Sequence, residues 1–225
     1  MNGLIIIPAY NSAKTLNKLL ELLNANSRLD SLVVNDGSSD NTKEIAEKKS
    51  TFIIKNSTNL GKGKSLQKGF DFAKKRNYEF VITIDSDLQH PPEAISKFIE
   101  LHKIASKSII IGNRKLSKDM PIHRKISNYL TSKLISIRIG QKILDSQCGY
   151  RLIPKPYYEI YKSKRAGFHF ESELIFRFGL QNVKFEFVEI PTIYNSDIKS
   201  NMNNLYATYD FIKLFIESLF WKKGD

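Results

Sequence analysis

Five short apolar runs, at residues 4–7, 32–34, 52–54, 80–84 and 109–111, recur along the first half of the chain with polar and amphipathic stretches between them. Runs this short, without a polar face of their own, read as strands buried on both sides, the condition of a parallel sheet covered by helices. The intervening stretches supply the helices. Leu16, Leu19, Leu20 and Leu23 share one helical face, and so do Leu66, Phe70 and Ala73. Strand and helix alternate, so the expected class is α/β, with a Rossmann-like, mostly parallel sheet and helices on both faces.

Such a sheet also dictates where a ligand sits. Residues 8–11, 36–40 and 85–89 each follow a predicted strand, and ligands of open α/β sheets collect outside the carboxyl ends of the strands. Asn41 and Glu44 stand at capping-box spacing, so a helix is expected to start just past the second loop. Three polar loops are thereby expected to converge on one crevice. After about residue 112 the pattern changes to a basic stretch with Arg114, Arg124, Lys125 and Arg138, then turn-rich residues 145–151, with no clear linker. One domain over residues 1–225 is expected, with a first half at about 1–112, a second at about 113–200 and a C-terminal amphipathic helix at about 201–225.

The loops carry particular chemistry. Asp85 and Asp87 flank Ser86, and two carboxylates spaced by two along an extended chain face the same side, where they can share a cation. Oxygen-only donors suit Mg2+ or Mn2+, and Gln89 adds a carbonyl if the chain stays extended. An isolated Asp-x-Asp is common and by itself reads as a solvated turn. Gly61, Lys62, Gly63, Lys64 and Ser65 lie between a strand and a helix, where a phosphate-binding loop belongs. A Walker loop fails here because Thr58 stands at its first glycine, and a dinucleotide fingerprint fails because Leu66 stands at its third.

Taken together the motifs are far more specific than any one. Pro8-Ala9-Tyr10-Asn11, Asn35-Asp36-Gly37-Ser38-Ser39-Asp40, Asn59-Leu60-Gly61-Lys62-Gly63 and Asp85-Ser86-Asp87-Leu88-Gln89-His90-Pro91-Pro92 follow in the order and spacing of the family-two glycosyltransferases with a GT-A fold, which this chain resembles. Within them Asp145-Ser146-Gln147-Cys148-Gly149-Tyr150-Arg151 is similar to the acceptor segment of the dolichol-phosphate mannose synthase group. The resemblance implies that Pro8, Tyr10 and Asn11 border the nucleotide and that Asp36 holds the base or ribose. It also implies that Lys62, Asp85 and Ser86 meet the nucleotide sugar, that Asp85, Asp87 and Gln89 hold the metal, and that residues 1–112 are the nucleotide-sugar half and about 113–200 the acceptor half. Ser12 replaces a glutamate common among relatives and Asn35 an aspartate, which leaves GDP and UDP both open as the donor nucleotide.

The implied activity is metal-dependent, inverting transfer of a hexose, mannose or glucose, from a nucleotide-diphosphate sugar. The acceptor is expected to be a polyprenyl or dolichyl phosphate, because a phosphate monoester with its second pKa at about 6 is already a nucleophile at neutral pH. Asp87, Arg114, Arg124 and Asp145 are the catalytic candidates, and Arg114, Arg124 and Arg151 the acceptor-binding ones, since guanidinium forks match phosphate oxygens. A hydroxyl acceptor is the alternative, and it requires a base from Asp145, Glu171 or Glu173. His169 reads as packed beside Phe168 and Phe170, and Cys148 as a small buried residue.

A formal charge of +12 points to an anionic partner. The lysines are scattered and no nucleic-acid-binding motif is present, so a phosphorylated substrate and an acidic membrane are expected and nucleic acid is not. A single cysteine excludes an internal disulfide and suits the cytoplasm. No apolar run approaches the roughly 18 residues a membrane span requires. Leu205, Tyr209, Ile212, Ile216 and Leu219 form a helical stripe whose default explanation is core packing. Followed by Phe220, Trp221, Lys222 and Lys223, the same helix suits a peripheral anchor at the inner face of the membrane.

Overall fold

A computed structural model describes residues 1–114, 122–161, 163, 165, 167, 169–191 and 204–221, apart from the side chains of His123 and residues 204–207. Phe168, Lys222, Lys223 and the side chain of Leu205 lie outside the described residues.

All five predicted strands form, as β1 (Gly3–Ala9), β2 (Asp30–Asn35), β3 (Phe52–Lys55), β4 (Phe80–Thr83) and β5 (Ile109–Arg114). Two more complete the sheet, β6 (Arg151–Pro154) and β7 (Phe185–Ile190), in the order β3-β2-β1-β4-β6-β5-β7. β1 pairs in parallel with β2 and β4, and β5 with β7, whereas β6 runs antiparallel between β4 and β5. The sequence-based sheet omitted β6 because four residues opening on an arginine and closing on a proline give neither an apolar run nor an alternation. The chain winds outward from β1 to β3 and then returns to place β4 on the other side of β1. That reversal is a topological switch point, and it opens the crevice between the first and fourth loops.

The helices follow the expected faces. α1 (Ala13–Asn26) buries Leu16, Leu19, Leu20 and Leu23, and α3 (Lys62–Lys75) buries Leu66, Phe70 and Ala73. α2 (Thr42–Lys49) starts where predicted, but Asn41 makes no side-chain cap; the carboxylate of Asp40 accepts from Thr42 N at 3.0 Å in its place. Beyond β4 come α4 (Ile95–Ile104), α5 (Ile122–Ile139), α6 (Lys155–Tyr158), α7 (Phe170–Leu180) and α8 (Asn204–Leu219).

α8 differs from its default reading. The residues it buries are Phe211, Leu214 and Ser218, while the stripe of Tyr209, Ile212, Ile216 and Leu219 faces outward, with Tyr209 67% and Phe220 79% exposed. α5 likewise exposes Ile122, Ile126, Tyr129, Leu130 and Ile137. The two helices pack against each other, and Arg138 of α5 donates to the carbonyls of Ser218 and Trp221 at the end of α8. No helix among the described residues is long and apolar enough to cross a membrane.

Candidate active site

The three loops at the carboxyl ends of β1, β2 and β4 converge, and small polar side chains knit them together. Asn11, in the left-handed region at φ 48°, receives a hydrogen bond from Ser39 N at 2.9 Å and donates its own N–H to Ser38 Oγ at 3.0 Å. Ser12 and Ser86 share a hydroxyl contact of 2.8 Å, and Thr15 donates to the Ser86 carbonyl at 2.6 Å, so the first loop is clamped to the fourth. Asn11 and Ser86, expected at the nucleotide, thus have their side chains engaged in holding the loops in register. Ser12 gains its role from the same clamp. Pro8 is half-buried within β1 and Tyr10 stays exposed just beyond it.

Asp36 lies in the expected loop. Its carboxylate is buried and accepts from Asn56 at 2.7 Å, Leu60 N at 2.9 Å and Gly61 N at 2.8 Å. Through these donors Asp36 fixes the glycine-rich loop that opens α3, a structural task beside the base or ribose contact that the resemblance implies. Gly37 is obligatory beside it: its φ is +72°, and a Cβ there would lie 2.5 Å from the Thr58 backbone.

At the end of β4 the expected acidic pair is present, but the chain turns at Ser86–Asp87. Leu88 adopts φ 59° and Gln89 N donates to Asp87 Oδ1 at 3.0 Å, so the extended geometry that was to bring a Gln89 carbonyl to the cation is not adopted. Lys62 places its ammonium 2.6 Å from Asp85 Oδ1 and 3.1 Å from Glu171 Oε1. Burial disfavours that ammonium, but Asp85 and then Glu171 more than reverse the effect and raise its pKa. Burial also works against the Asp85 charge, yet Lys62 and His90 hold Asp85 below the ordinary carboxylate value. Asp87 is pushed up to about 6 by burial and by the neighbouring Asp85 charge. Asp87 forms no ion pair among the described residues, and with oxygen-only donors the Asp85–Asp87 pair fits a hard divalent ion. No group of three or more metal-binding His, Cys, Asp or Glu side chains occurs among the described residues.

Two residues inside the quoted motifs had no assigned role. Burial lowers His90 to about 4, which leaves a neutral ring beside this charged cluster. Gly149 backs the Lys62–Asp85 pair so closely that a Cβ would lie 2.5 Å from Asp85 Oδ2 and 2.9 Å from Lys62 Nζ.

On the acceptor side every candidate carboxylate is already paired. Arg114 forks onto Asp145 through Nε at 2.7 Å and Nη2 at 2.9 Å; burial opposes the Asp145 charge, but this fork holds its pKa below the ordinary value. Glu171 faces Lys62, and Glu173 accepts from Arg177 at 2.8 Å and from Ser163. Arg151 is corrected outright. It is 1% exposed, and its guanidinium donates to the carbonyls of Cys148 at 2.8 Å, Glu171 at 2.6 Å and Ser146 at 2.8 Å, so it braces the acceptor segment from within. Arg124 lies half-buried in the first turn of α5 and forms no ion pair among the described residues. Cys148 is fully buried, its thiol pushed up to about 12 by that burial, and His169 packs beside Phe211.

A mostly parallel sheet with an acidic pair at its switch point is the arrangement of a GT-A glycosyltransferase. The chain belongs to glycosyl transferase family 2, which it matches over residues 4–161. It is 27% identical over 243 residues to a UDP-N-acetylglucosamine–dolichyl-phosphate N-acetylglucosaminyltransferase of Methanococcus voltae, covering 98% of this chain and 96% of that one. An undecaprenyl-phosphate mannosyltransferase of Micrococcus luteus is 30% identical over 161 residues, 67% of this chain and 65% of that one. Among solved structures, glucosyl-3-phosphoglycerate synthase of Mycobacterium tuberculosis, in complex with Mn2+, UDP and glucosyl-3-phosphoglycerate, superposes with a TM-score of 0.71 at 15% identity, covering 97% of this chain and 78% of that one. At that identity the likeness speaks for the fold alone.

Proposed function

We propose that the chain is an inverting, metal-dependent glycosyltransferase that moves a hexose from a nucleotide-diphosphate sugar to a polyprenyl phosphate, with residues 1–225 acting as one catalytic domain. The observation that carries the choice of acceptor is the pairing of Asp145, Glu171 and Glu173 with Arg114, Lys62 and Arg177. A hydroxyl nucleophile requires an available base, and carboxylates already engaged in ion pairs, Asp145 held low by the Arg114 guanidinium among them, are poor ones. A phosphate monoester needs no base. The dolichyl- and undecaprenyl-phosphate acceptors named for the two relatives favour the same reading.

Within this reading Tyr10 borders the nucleotide, and Lys62 supplies positive charge at the diphosphate. Asp85 and Asp87 hold Mg2+ or Mn2+, which when bound neutralises charge developing on the departing diphosphate. Arg124, with Arg114 steadied by Asp145, draws the acceptor phosphate toward the anomeric carbon. Transfer then passes through an oxocarbenium-like state with inversion. The exposed apolar faces of α5 and α8, on a chain of charge +12, suit peripheral docking on an anionic membrane, where a lipid phosphate is found.

The test is a donor panel of GDP-mannose, UDP-glucose and UDP-N-acetylglucosamine, with Mn2+ or Mg2+ and a short polyprenyl phosphate or the matching polyprenol. Glycolipid formed from the phosphate alone, and abolished by chelation, is the expected result. Product from the polyprenol would move the acceptor to a hydroxyl and reopen the search for a base.

A further inference from the structure

The strongest candidate for a metal ligand, Asp85, already has a cation on it. Lys62 Nζ stands 2.6 Å from its Oδ1, and Gly149 closes off the other side, its backbone so near Oδ2 that no side chain fits between. A divalent ion held by Asp85 would share that carboxylate with an ammonium already at hydrogen-bond distance from it, and two like charges on one partly buried carboxylate would repel. The lysine must give way. It cannot simply be stranded, because a buried ammonium without a partner is among the costliest groups a protein can hold.

Glu171 answers that difficulty. It belongs to the first turn of α7, on the acceptor side of the sheet, and its Oε1 is buried, has no hydrogen bond among the described residues and stands 3.1 Å from Lys62 Nζ. Arg151 fixes the same residue from behind by donating to its carbonyl. An oriented carboxylate oxygen whose ion pair among the described residues is with the Lys62 ammonium is a second seat, longer than the first by 0.5 Å.

Resting on the metal-dependent reading above, we propose that Lys62 is a place-holding cation for Asp85 in the donor-free enzyme and that Glu171 is its second seat, so that metal and donor diphosphate displace it together. The consequence is a metal site that is weak until the donor arrives. It limits idle metal binding and ties metal loading to a helix of the acceptor half. Glu171 is then a positioning residue acting through Lys62, a role different from the base considered for it.

Binding of Mn2+ to the full chain, read by electron paramagnetic resonance without substrate, tests this directly. Lys62→Gln and Lys62→Met each remove the competing charge and are expected to bind Mn2+ about tenfold more tightly than the parent, the scale set by one charge-assisted hydrogen bond. Glu171→Gln removes the second seat and should weaken binding. UDP or GDP should tighten Mn2+ binding more in the parent than in either Lys62 variant. Two Lys62 variants are used so that one with native circular dichroism carries the test. Mn2+ binding no tighter in the Lys62 variants than in a parent that does bind overturns the place-holder and leaves the metal reading standing; no binding in any of the proteins, with or without nucleotide, overturns both. Glu171→Gln binding as the parent does would remove Glu171 from the device.

Discussion

The two sides of the crevice are built from different materials. On the nucleotide side, neutral groups join the first loop to the second and fourth: Asn11 to Ser39, Ser12 to Ser86 and Thr15 to the Ser86 carbonyl, each a hydrogen bond between short side chains or to backbone. On the acceptor side, and where it meets the nucleotide side, buried charges do it: Arg114 with Asp145, Lys62 with Asp85 and Glu171, Glu173 with Arg177, and Arg151 on three carbonyls. A neutral hydrogen bond contributes about 1 kcal/mol and can be lost singly. A buried charge contributes little net while it is paired and costs several kcal/mol when it loses its partner. The neutral links of the first loop should therefore tolerate single substitutions and the charged ones should not.

The sharpest way to break this contrast is at Arg151. Arg151→Met withdraws a buried guanidinium from three carbonyls, and the chain should lose about 3–5 kcal/mol of stability. Ser12→Ala, which removes one neutral link to Ser86, should cost about 1 kcal/mol. Urea unfolding of both variants measures the difference; equal midpoints would show that the charged side is no more brittle than the neutral one.

The same contrast decides how much was legible in the sequence. Loop residues that follow a strand can be placed by local spacing alone, so the convergence of residues 8–11, 36–40 and 85–89 was readable, as were the buried leucines of α1. Asp36 was placed in the right loop, but its partners Asn56, Leu60 and Gly61 come from the next β–α unit, and nothing local announces them. Ion pairs between distant segments are harder still. Lys62 meets Glu171 only because α3 and α7 flank one sheet whose order includes an antiparallel β6 that no periodicity revealed. β7 was a different kind of omission: Phe185, Phe187 and Ile190 interleave with Glu186 and Glu189, a partial alternation that the mixed composition of the second half obscured.

Asp87 is the member of the charged set that forms no ion pair among the described residues, and it gives the second test. Its pKa is raised in the folded chain to about 6, above the ordinary 3.8. A carboxylate raised on folding adds its share of stability below the unfolded value, and loses it as pH climbs through the folded one. Asp87→Asn should therefore match the parent near pH 4 and become more stable by on the order of 1–3 kcal/mol above pH 6, while losing metal-dependent turnover. Thermal melts across that range in a chelator read the gap, and added Mn2+ should narrow it by stabilising the parent alone. A gap that stays constant with pH would mean that Asp87 is not strained by its neighbour.

The smallest expected effect on stability lies where neither side of the crevice is involved. Ile212 and Ile216 are half exposed on α8, in a stripe whose spacing suggested core packing and whose buried counterparts are Phe211 and Leu214. Replacing exposed side chains removes little buried area, so Ile212→Ser with Ile216→Ser should leave the melting curve within about 0.5 kcal/mol of the parent. Flotation with anionic liposomes should respond far more, because the same residues add apolar area to a surface already drawn to the membrane by its charge. A double variant that melts normally and no longer floats places the lipid-facing surface on α8. One that melts early assigns the stripe to internal packing after all, and one that melts and floats like the parent moves the membrane contact to the exposed face of α5.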